Sequence, residues 1–288
     1  MIDAREKGGM TMHETLTFAV IGGDKRSLFA ARRLEEYGFR TALFAISGGQ
    51  PYEEYKKIKA DALLLPLPLT KDGKTLFAPD DKEPISVSDV LSAAPADALL
   101  FAGRTGGISD ERLTDYSARE DFAIMNAVPT AEGALLLALQ GLDETICGMR
   151  VAVVGFGRVG AQTARLFRAA GAEVTVFARK TEARMSARAL GCKAQATDDL
   201  EIAASDFRLF INTVPARLFT SKVLSALRKD AYVIDLASAP YGLDFSEAGR
   251  LGRKAICAAG LPGKYFPETA GRAVAETIVH ILREKHYF

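Results

Sequence analysis

The chain has 288 residues, long enough for two domains, and its apolar fraction of 48% is ordinary for a globular protein. Its 37 basic and 36 acidic residues give a net charge of +1, which argues against nucleic acid as a partner. No apolar run is long enough to span a bilayer, and residues 1–14 lack the apolar core of a signal peptide. We therefore expect a cytoplasmic protein that begins with a loose polar tail and has no membrane association.

The three cysteines, Cys147, Cys192 and Cys257, are scattered along the chain. They show neither metal-binding nor redox spacing, so we expect inert thiols in a reducing compartment and no metal site.

The first predicted unit is a strand, a turn, a helix and a second strand. An apolar run at 18–21 precedes Gly22-Gly23-Asp24, an amphipathic helix follows, and residues 41–44 form the next strand. The third glycine of a nucleotide fingerprint is absent here, which predicts a parallel α/β domain without a nucleotide. Further strands are predicted at 62–65, 98–101 and 122–124, with a hairpin turn at 71–74 and a short helix at 87–91.

A long apolar helix is predicted at 131–142. Thr130 would be its N-cap and Glu132 would lie in its first turn, where a carboxylate favours the helix dipole. Because the helix is apolar on nearly every side, we expect it to be buried, between two domains.

Residues 151–180 have the pattern of a dinucleotide site. The sequence GFGRVG at 155–160 stands between an apolar strand and a helix, and a second strand follows. In this pattern Gly155 makes a tight turn, Gly157 lets a pyrophosphate approach the backbone, and Gly160 lets the helix pack closely. The helix N-terminus would bind the phosphates through free N–H groups.

The end of the second strand of this unit favours NADP over NAD. NAD-binding domains have an acidic residue there, but this chain has Ala178, followed by Arg179 and Lys180. An Arg pairs with a 2′-phosphate, whereas a carboxylate repels it. Alternatively, Arg179 and Lys180 form a solvated loop and the cofactor is NAD or either of the two.

Strands at 192–194, 209–212, 232–236 and 255–258 would complete a Rossmann sheet. The amphipathic helix at 269–284 lies beyond that sheet and is predicted to pack back on the first domain. The fold class is therefore α/β, with two doubly wound parallel-sheet (Rossmann-like) domains and a cleft between them. The predicted domains are 14–128 with 268–288 on the substrate side, and 129–267 for the cofactor.

Ligands of open α/β sheets bind outside the carboxyl ends of the strands, so the loops at those ends are the candidate site. Three cations in these loops, Arg26, Arg104 and Lys264, suit a substrate with carboxylates, although each is alternatively a surface charge. The predicted substrate-binding residues are Arg26, Arg104, Thr130, Asn212 and Lys264. The predicted cofactor-binding residues are Gly155, Gly157, Arg158, Val159, Gly160, Arg179, Lys180, Thr213, Val214, Pro215 and Ala237.

The histidines, His13, His280 and His286, all lie outside the predicted strand-end loops. A 2-hydroxyacid dehydrogenase uses a histidine to move the hydroxyl proton, so that class is disfavoured. Asp24 and Glu132 are the carboxylates best placed to act as a base, and Glu132 alternatively serves the helix dipole alone.

The chain resembles the family of dipicolinate synthase A subunits from spore-forming Firmicutes over nearly its whole length. The motifs that carry the resemblance lie, in order, at 19–24 with Arg26, 128–133, 153–160, 177–179, 211–215, 234–238 and 260–263. The resemblance implies oxidation of dihydrodipicolinate, or of its hydrated tetrahydro precursor, to dipicolinate during sporulation in the mother cell. It also implies a partner, the flavoprotein-like B subunit of dipicolinate synthase, and it is compatible with a homo-oligomer.

Two other functions remain open at this point. The chain could be an NAD(P) dehydrogenase of another amino or imino acid. It could also be a non-catalytic subunit that senses a nucleotide while its partner performs the chemistry.

Overall fold

The computed structural model describes residues 15–287, so the predicted polar tail and His13 lie outside the described part. The described chain divides into two compact units. The first unit comprises the residues up to Arg119 together with those from Gly271 onward, and the second is Glu120–Ala270.

The first unit is built on a five-stranded parallel sheet with the order β2-β1-β3-β4-β5. Its strands are β1 (Thr17–Ile21), β2 (Arg40–Phe44), β3 (Ala62–Leu64), β4 (Leu99–Ala102) and β5 (Leu113–Asp115). Its helices before residue 119 are α1 (Lys25–Glu36), α2 (Tyr52–Tyr55) and α3 (Val87–Ala93). The central strands are continuous apolar runs because a parallel sheet is covered on both faces.

The fifth strand corrects one prediction. Residues 122–124 form no strand; they belong to the helix α4 (Glu120–Gly141), because a three-residue apolar run fits a buried helix as well as a strand. The strand at this edge of the sheet is β5, with Leu113 as its one large apolar residue. A strand this short and polar has no periodicity to identify it.

The second unit is built on a six-stranded parallel sheet with the order β11-β10-β9-β6-β7-β8. Its strands are β6 (Arg150–Val154), β7 (Glu173–Phe177), β8 (Lys193–Gln195), β9 (Leu209–Asn212), β10 (Tyr232–Asp235) and β11 (Lys254–Cys257). Besides α4, its helices are α5 (Arg158–Ala169), α6 (Thr181–Ala189), α7 (Leu200–Ala203), α8 (Ser221–Ala226), α9 (Phe245–Arg250) and α10 (Leu261–Tyr265). This is the Rossmann strand order 3-2-1-4-5-6, so the predicted fold class is confirmed.

Alternate residues of β6 pack into two different cores. Val151 and Val153 belong to the apolar cluster that includes residues of α4 and α5, whereas Ala152 and Val154 belong to the cluster with α7 and α8. Successive side chains of a strand point to opposite faces, so both faces of this sheet are covered. The carboxyl edge of the strands is thereby left for ligands.

Helix α4 begins eleven residues earlier than predicted, at Glu120 instead of residue 131, and continues through Pro129. Thr130 is therefore not an N-cap: its hydroxyl donates to the carbonyl of Asn126, 2.7 Å away, inside the helix. Glu132 lies in the helix interior, so it does not serve the helix dipole. The predicted start was wrong because packing of the whole helix outweighs the tendency of Pro129 to interrupt a helix.

Against the expectation from the sequence, helix α4 is the one helix of the described residues that could cross a membrane by length and composition, and 44% of its most apolar window is buried inside the protein. It packs against α5, α10 and β10. Gly133 allows close contact with α10, since a Cβ there would lie 2.8 Å from that of Leu261. Leu139 remains 54% exposed, so the helix is only partly buried, contrary to the prediction.

The last helix, α11 (Pro267–Glu284), returns to the first unit from Gly271 onward, as predicted. A Cβ at Gly271 would lie 2.7 Å from that of Phe29 in α1, so glycine is needed for this approach. Arg33 of α1 adds an ion pair to Glu276, with 3.1 Å between the nitrogen and the oxygen.

Candidate active site

Two glycines of the turn between β6 and α5, Gly155 and Gly160, have the close contacts that the sequence predicts. Gly155 has a φ of +99°, and a Cβ there would overlap the hydroxyl of Thr213. A Cβ at Gly160 would overlap the carbonyl of Gly155, so this glycine lets the helix approach the turn. Gly157 is different, because a Cβ at this position would meet nothing within 4 Å. The middle of the turn is therefore open, as a backbone phosphate site requires.

The N-terminus of α5 is uncapped. Its N-cap residue is Gly157, which has no side chain to accept a hydrogen bond from the first turn. The next residue, Arg158, is exposed, and its Nε lies 3.6 Å from Oε1 of Glu120, while Val159 is half-buried. Free N–H groups and the positive end of the helix dipole favour an anion at this position.

The end of β7 presents cations and no carboxylate. Ala178 is buried, and Arg179 and Lys180 are both exposed. The sequence did not indicate Arg184 on α6, which holds this loop: its Nη1 donates to the carbonyls of Ala178 (2.9 Å) and Arg179 (2.7 Å). Its spacing of five residues from Arg179 was the available signal, since the first turn of a following helix returns over the loop.

Two further loops follow β9 and β10. The Thr213 hydroxyl donates to the carbonyl of Val154 at 2.9 Å, which ties the loop after β9 to the end of β6. Val214 is half-buried, Pro215 is exposed, and Ala237 in the loop after β10 is buried. These cofactor candidates lie at the carboxyl ends of adjacent strands of the same sheet as the glycine turn.

Asn212 has a different position from the one predicted. Its side chain is fully buried, and its amide nitrogen donates to Asp235 Oδ1 (2.7 Å) and to the carbonyl of Val214 (3.0 Å). Its amide oxygen accepts from the N–H of Val214 at 3.2 Å. This geometry supports a role inside the chain in place of the predicted contact with substrate.

In the first unit, Asp24 and Arg26 form a close pair after β1. Asp24 is the N-cap of α1 and accepts from the backbone N–H of Arg26 (3.0 Å) as well as from its guanidinium (2.8 Å to Nη2). Arg26 Nη2 also donates to the carbonyl of Leu67. Among the described residues, Nη1 of Arg26 has no hydrogen-bond partner. Arg26 therefore cannot bind a substrate carboxylate through two hydrogen bonds unless its pair with Asp24 opens. Its Nη1 can still donate a single hydrogen bond to such a carboxylate.

A small pocket lies beside this pair, lined by Asp24, Arg26, Ser27, Leu64, Leu67, Tyr116 and Val274. It lies at the carboxyl ends of β1 and β3, which is the topological switch point of a sheet with this strand order. Burial raises the pKa of the Tyr116 phenol well above its usual value, so this side chain stays neutral.

Arg104 stands at the end of β4 in a left-handed backbone conformation, with a φ of +50°. Its N–H donates to the Ser117 hydroxyl (2.9 Å) and to Asp115 Oδ1 (3.3 Å), which hold the loop in this form. Such strain in a residue other than glycine is typical of functional positions. The side chain of Arg104 is exposed, which is compatible with the predicted role.

The remaining candidates lie in the second unit. Glu132 and Lys264 are exposed, whereas Thr130 is buried, and the ammonium of Lys264 lies 4.9 Å from the centre of the Tyr265 ring. Lys264 lies in the short helix α10, which follows β11. Within residues 15–287 no group of three His, Cys, Asp or Glu side chains could hold a metal ion.

Comparison with known proteins gives two family matches. The model of the N-terminal domain of dipicolinate synthase A subunits matches residues 17–127. The model of the NAD-binding domain of D-isomer specific 2-hydroxyacid dehydrogenases matches residues 138–241, which include the glycine turn and the loop after β9. The second unit therefore carries a nicotinamide-binding dehydrogenase domain.

Similar whole proteins agree with these matches. The A subunit of dipicolinate synthase from Bacillus subtilis (strain 168) is 34% identical over 93% of this chain and 96% of its own length. The crystal structure of the A subunit of dipicolinate synthase from Bacillus halodurans has a TM-score of 0.85 and 32% identity, and covers 94% of this chain and 99% of that one. NADP-dependent alcohol dehydrogenase C 1 of Mycolicibacterium smegmatis is 36% identical over 31% of this chain and 27% of its own. The chain is an NAD(P)-dependent oxidoreductase.

Proposed function

We propose that this chain, which belongs to the family of dipicolinate synthase A subunits, oxidises dihydrodipicolinate or its hydrated tetrahydro precursor to dipicolinate, with NADP as the cofactor. The observation that carries the proposal is the open, uncapped glycine turn of the second unit. By family, we expect the activity in the cytoplasm of the mother cell of a sporulating bacterium, together with the flavoprotein-like B subunit of dipicolinate synthase.

The chemistry suits these residues. Oxidation of a dihydropyridine ring to a pyridine removes one hydride from carbon and one proton, and the aromaticity gained drives both losses. The hydrated tetrahydro precursor must also release one water to reach the same product. A strong base or a metal ion is therefore not needed. When bound, the nicotinamide cofactor supplies the hydride acceptor. The N–H groups at the start of α5 bind its pyrophosphate and so orient it.

Cations would hold the diacid substrate. Arg104 and Lys264 have exposed charged groups, and Arg26 keeps Nη1 for one hydrogen bond to a carboxylate. The oxygens of Asp24 already accept from the helix N-terminus and from Arg26, so we favour water over Asp24 as the proton acceptor. Exposed Glu132 is the other carboxylate candidate.

The preference for NADP rests on the exposed Arg179 and Lys180 and on the lack of a carboxylate after β7. Similarity to an NADP-dependent alcohol dehydrogenase over about a third of the chain supports the same choice.

The direct test is an assay of the purified chain with dihydrodipicolinate and NADP+, with and without the flavoprotein-like partner. We expect formation of NADPH together with the ultraviolet absorbance of the pyridine product. If neither signal appears with NADP+ or with NAD+ while that partner is present, the proposal is contradicted. Gly157→Ala in the reconstituted pair distinguishes a catalytic from a sensing role of this chain, because only a catalytic chain loses turnover.

A further inference from the structure

A buried carboxylate and a buried amide lie side by side at the ends of β9 and β10. Both Asp235 and Asn212 have no exposed surface. The amide nitrogen of Asn212 donates to Asp235 Oδ1 at 2.7 Å. Asp235 Oδ1 also accepts from the N–H of Ala237 (3.0 Å), and Oδ2 accepts from the N–H of Gly242 (2.7 Å). Every one of these donors is a neutral amide.

The pair holds three pieces of backbone. Asn212 bonds both the N–H and the carbonyl of Val214, which fixes the loop after β9. Asp235 fixes the loop after β10 at Ala237 and at Gly242. Gly242 must be a glycine for this arrangement, because a Cβ there would overlap the amide of Asn212. A charge removed from water is costly unless it is well hydrogen-bonded, so an arrangement this complete indicates a specific use.

The loops that the pair holds adjoin the glycine turn. Thr213, the residue after Asn212, donates to the carbonyl of Val154 and lies so close to Gly155 that a Cβ on that glycine would overlap it. A Rossmann sheet consists of two mononucleotide-binding halves. In this unit β6, α5 and β7 belong to the half with the glycine turn, and β9, β10 and β11 form the other half. The second half is the one that takes the nicotinamide nucleotide when the first takes the adenosine.

We propose that Asp235 and Asn212 are positioning residues that build the nicotinamide half of the cofactor site. They hold the loops at 213–215 and 236–242 in place before the cofactor arrives, and they do not touch it. This inference rests on the proposed placement of the cofactor along Thr213, Val214, Pro215 and Ala237.

The test separates the two halves of the cofactor. Asp235→Asn keeps the shape but turns one acceptor into an N–H donor, which must face the N–H of either Ala237 or Gly242. Dissociation constants are measured by calorimetry on the full chain for NADP+ and for adenosine 2′,5′-bisphosphate, with NAD+ and AMP in parallel. We expect at least about tenfold weaker binding of the dinucleotide and unchanged binding of the adenosine nucleotide.

A merely structural role would not give this split. Equal losses for dinucleotide and adenosine nucleotide, or no loss for either, would overturn the proposal. Asp198→Asn, an exposed substitution of the same kind in the same unit, is the matched control. If Asp235→Asn does not fold, Gly242→Ala disturbs the pair while keeping both side chains, and the same selective loss is expected.

Gly157→Ala distinguishes failure of the positioning role from failure of the proposed cofactor placement. If it weakens binding of NADP+ while Asp235→Asn and Gly242→Ala do not, the positioning role alone is wrong. If none of the three variants weakens binding, the cofactor placement is wrong and the positioning role falls with it.

Discussion

In each unit the first strand of the sheet, β1 or β6, is followed by a glycine turn and a helix, but only one of the two turns is open. In the first unit, Gly22 lies against Leu76, and the N–H of Gly23 donates to the carbonyl of Phe77 at 2.7 Å. Asp24 then caps α1 with its carboxylate. In the second unit, Gly157 has open space around it and α5 has no side-chain cap.

The difference shows how a chain can close a phosphate site without changing the fold. The segment at 69–78 returns over the first turn, where the carbonyl of Phe77 accepts from the N–H of Gly23, and the Asp24 carboxylate accepts from the N–H of Arg26. A negative cap also repels a phosphate. The strand–turn–helix pattern is thus common to both units, and the N-cap residue, Asp24 or Gly157, decides whether a side chain caps the helix.

Gly157→Ala tests the open turn most directly. Its φ of −82° suits alanine and the new methyl group meets no neighbour, so the fold should be unaffected. We expect cofactor binding to weaken by about 10- to 100-fold, or roughly 1.4–2.8 kcal/mol, because the methyl group stands where the pyrophosphate approaches. Calorimetric titration and the melting temperature are the measurements. Gly249→Ala, also open and exposed, should leave binding unchanged, and unchanged binding in Gly157→Ala would remove the distinction between the turns.

Arg179→Ala should raise KM for NADP about tenfold and leave KM for NAD unchanged, since a charge-assisted hydrogen bond contributes about 1.5–3 kcal/mol. At the corresponding place in the first unit, after β2, Ala45 and Ile46 are buried and offer no cation. KM is measured from initial rates with NADP and with NAD. Arg188→Ala on α6 is the control for a general charge effect. If KM for NADP does not rise, Arg179 is only a surface residue.

Asp24→Ala should affect the first unit only. Loss of the N-cap is expected to lower the free energy of unfolding by about 1–2 kcal/mol and to leave cofactor affinity unchanged, as measured by denaturant titration and calorimetry. Asp24→Ser keeps a cap and removes the ion pair with Arg26, so its loss of stability should be smaller. If Asp24→Ser nevertheless lowers kcat about 100-fold, Asp24 is the base and water is not.

The smallest expected effect concerns Asp72, in the segment at 69–78 that covers the glycine turn of the first unit. The N–H groups of Thr75 and Lys74 hold the pKa of Asp72 well below its usual range. A lowered pKa stabilises the fold above the unfolded value of about 4, and this stabilisation is lost as the pH falls further. The melting temperature of Asp72→Asn should thus lie below that of the parent at pH 7, with the gap closing below about pH 4. Asp198→Asn should show no such difference in melting temperature. If the difference for Asp72→Asn persists at low pH, the lowered pKa of Asp72 is not its cause.

The sequence was sufficient where local geometry and function coincide. Gly155 and Gly160 have the contacts that their motif demands, and the strands β6, β7, β9 and β10 are runs that only a doubly covered sheet accommodates. The predicted start of α4 was wrong because tertiary packing outweighs the local preference of Pro129, which lies inside the helix.

Side-chain partners were less predictable than elements. Asn212 was expected to face a ligand because it ends a strand, but the adjacent strand supplies Asp235 as its partner. Arg26 was expected to be available to a substrate, whereas Asp24, two residues earlier, accepts from its Nε and Nη2. Both pairings depend on the register and backbone angles of a turn, which residue types alone do not specify.

The uncapped start of α5 also bears on the lifetime of the protein in a cell. In the proposed placement the cofactor bonds the N–H groups of this first turn, which no side chain caps, so occupancy adds to the free energy of unfolding. At 100 times Kd this addition is about 2.7 kcal/mol. Chains made while the cofactor is scarce would unfold more often and be exposed to proteolysis. The abundance of the protein would then follow the supply of its cofactor, without any dedicated regulator.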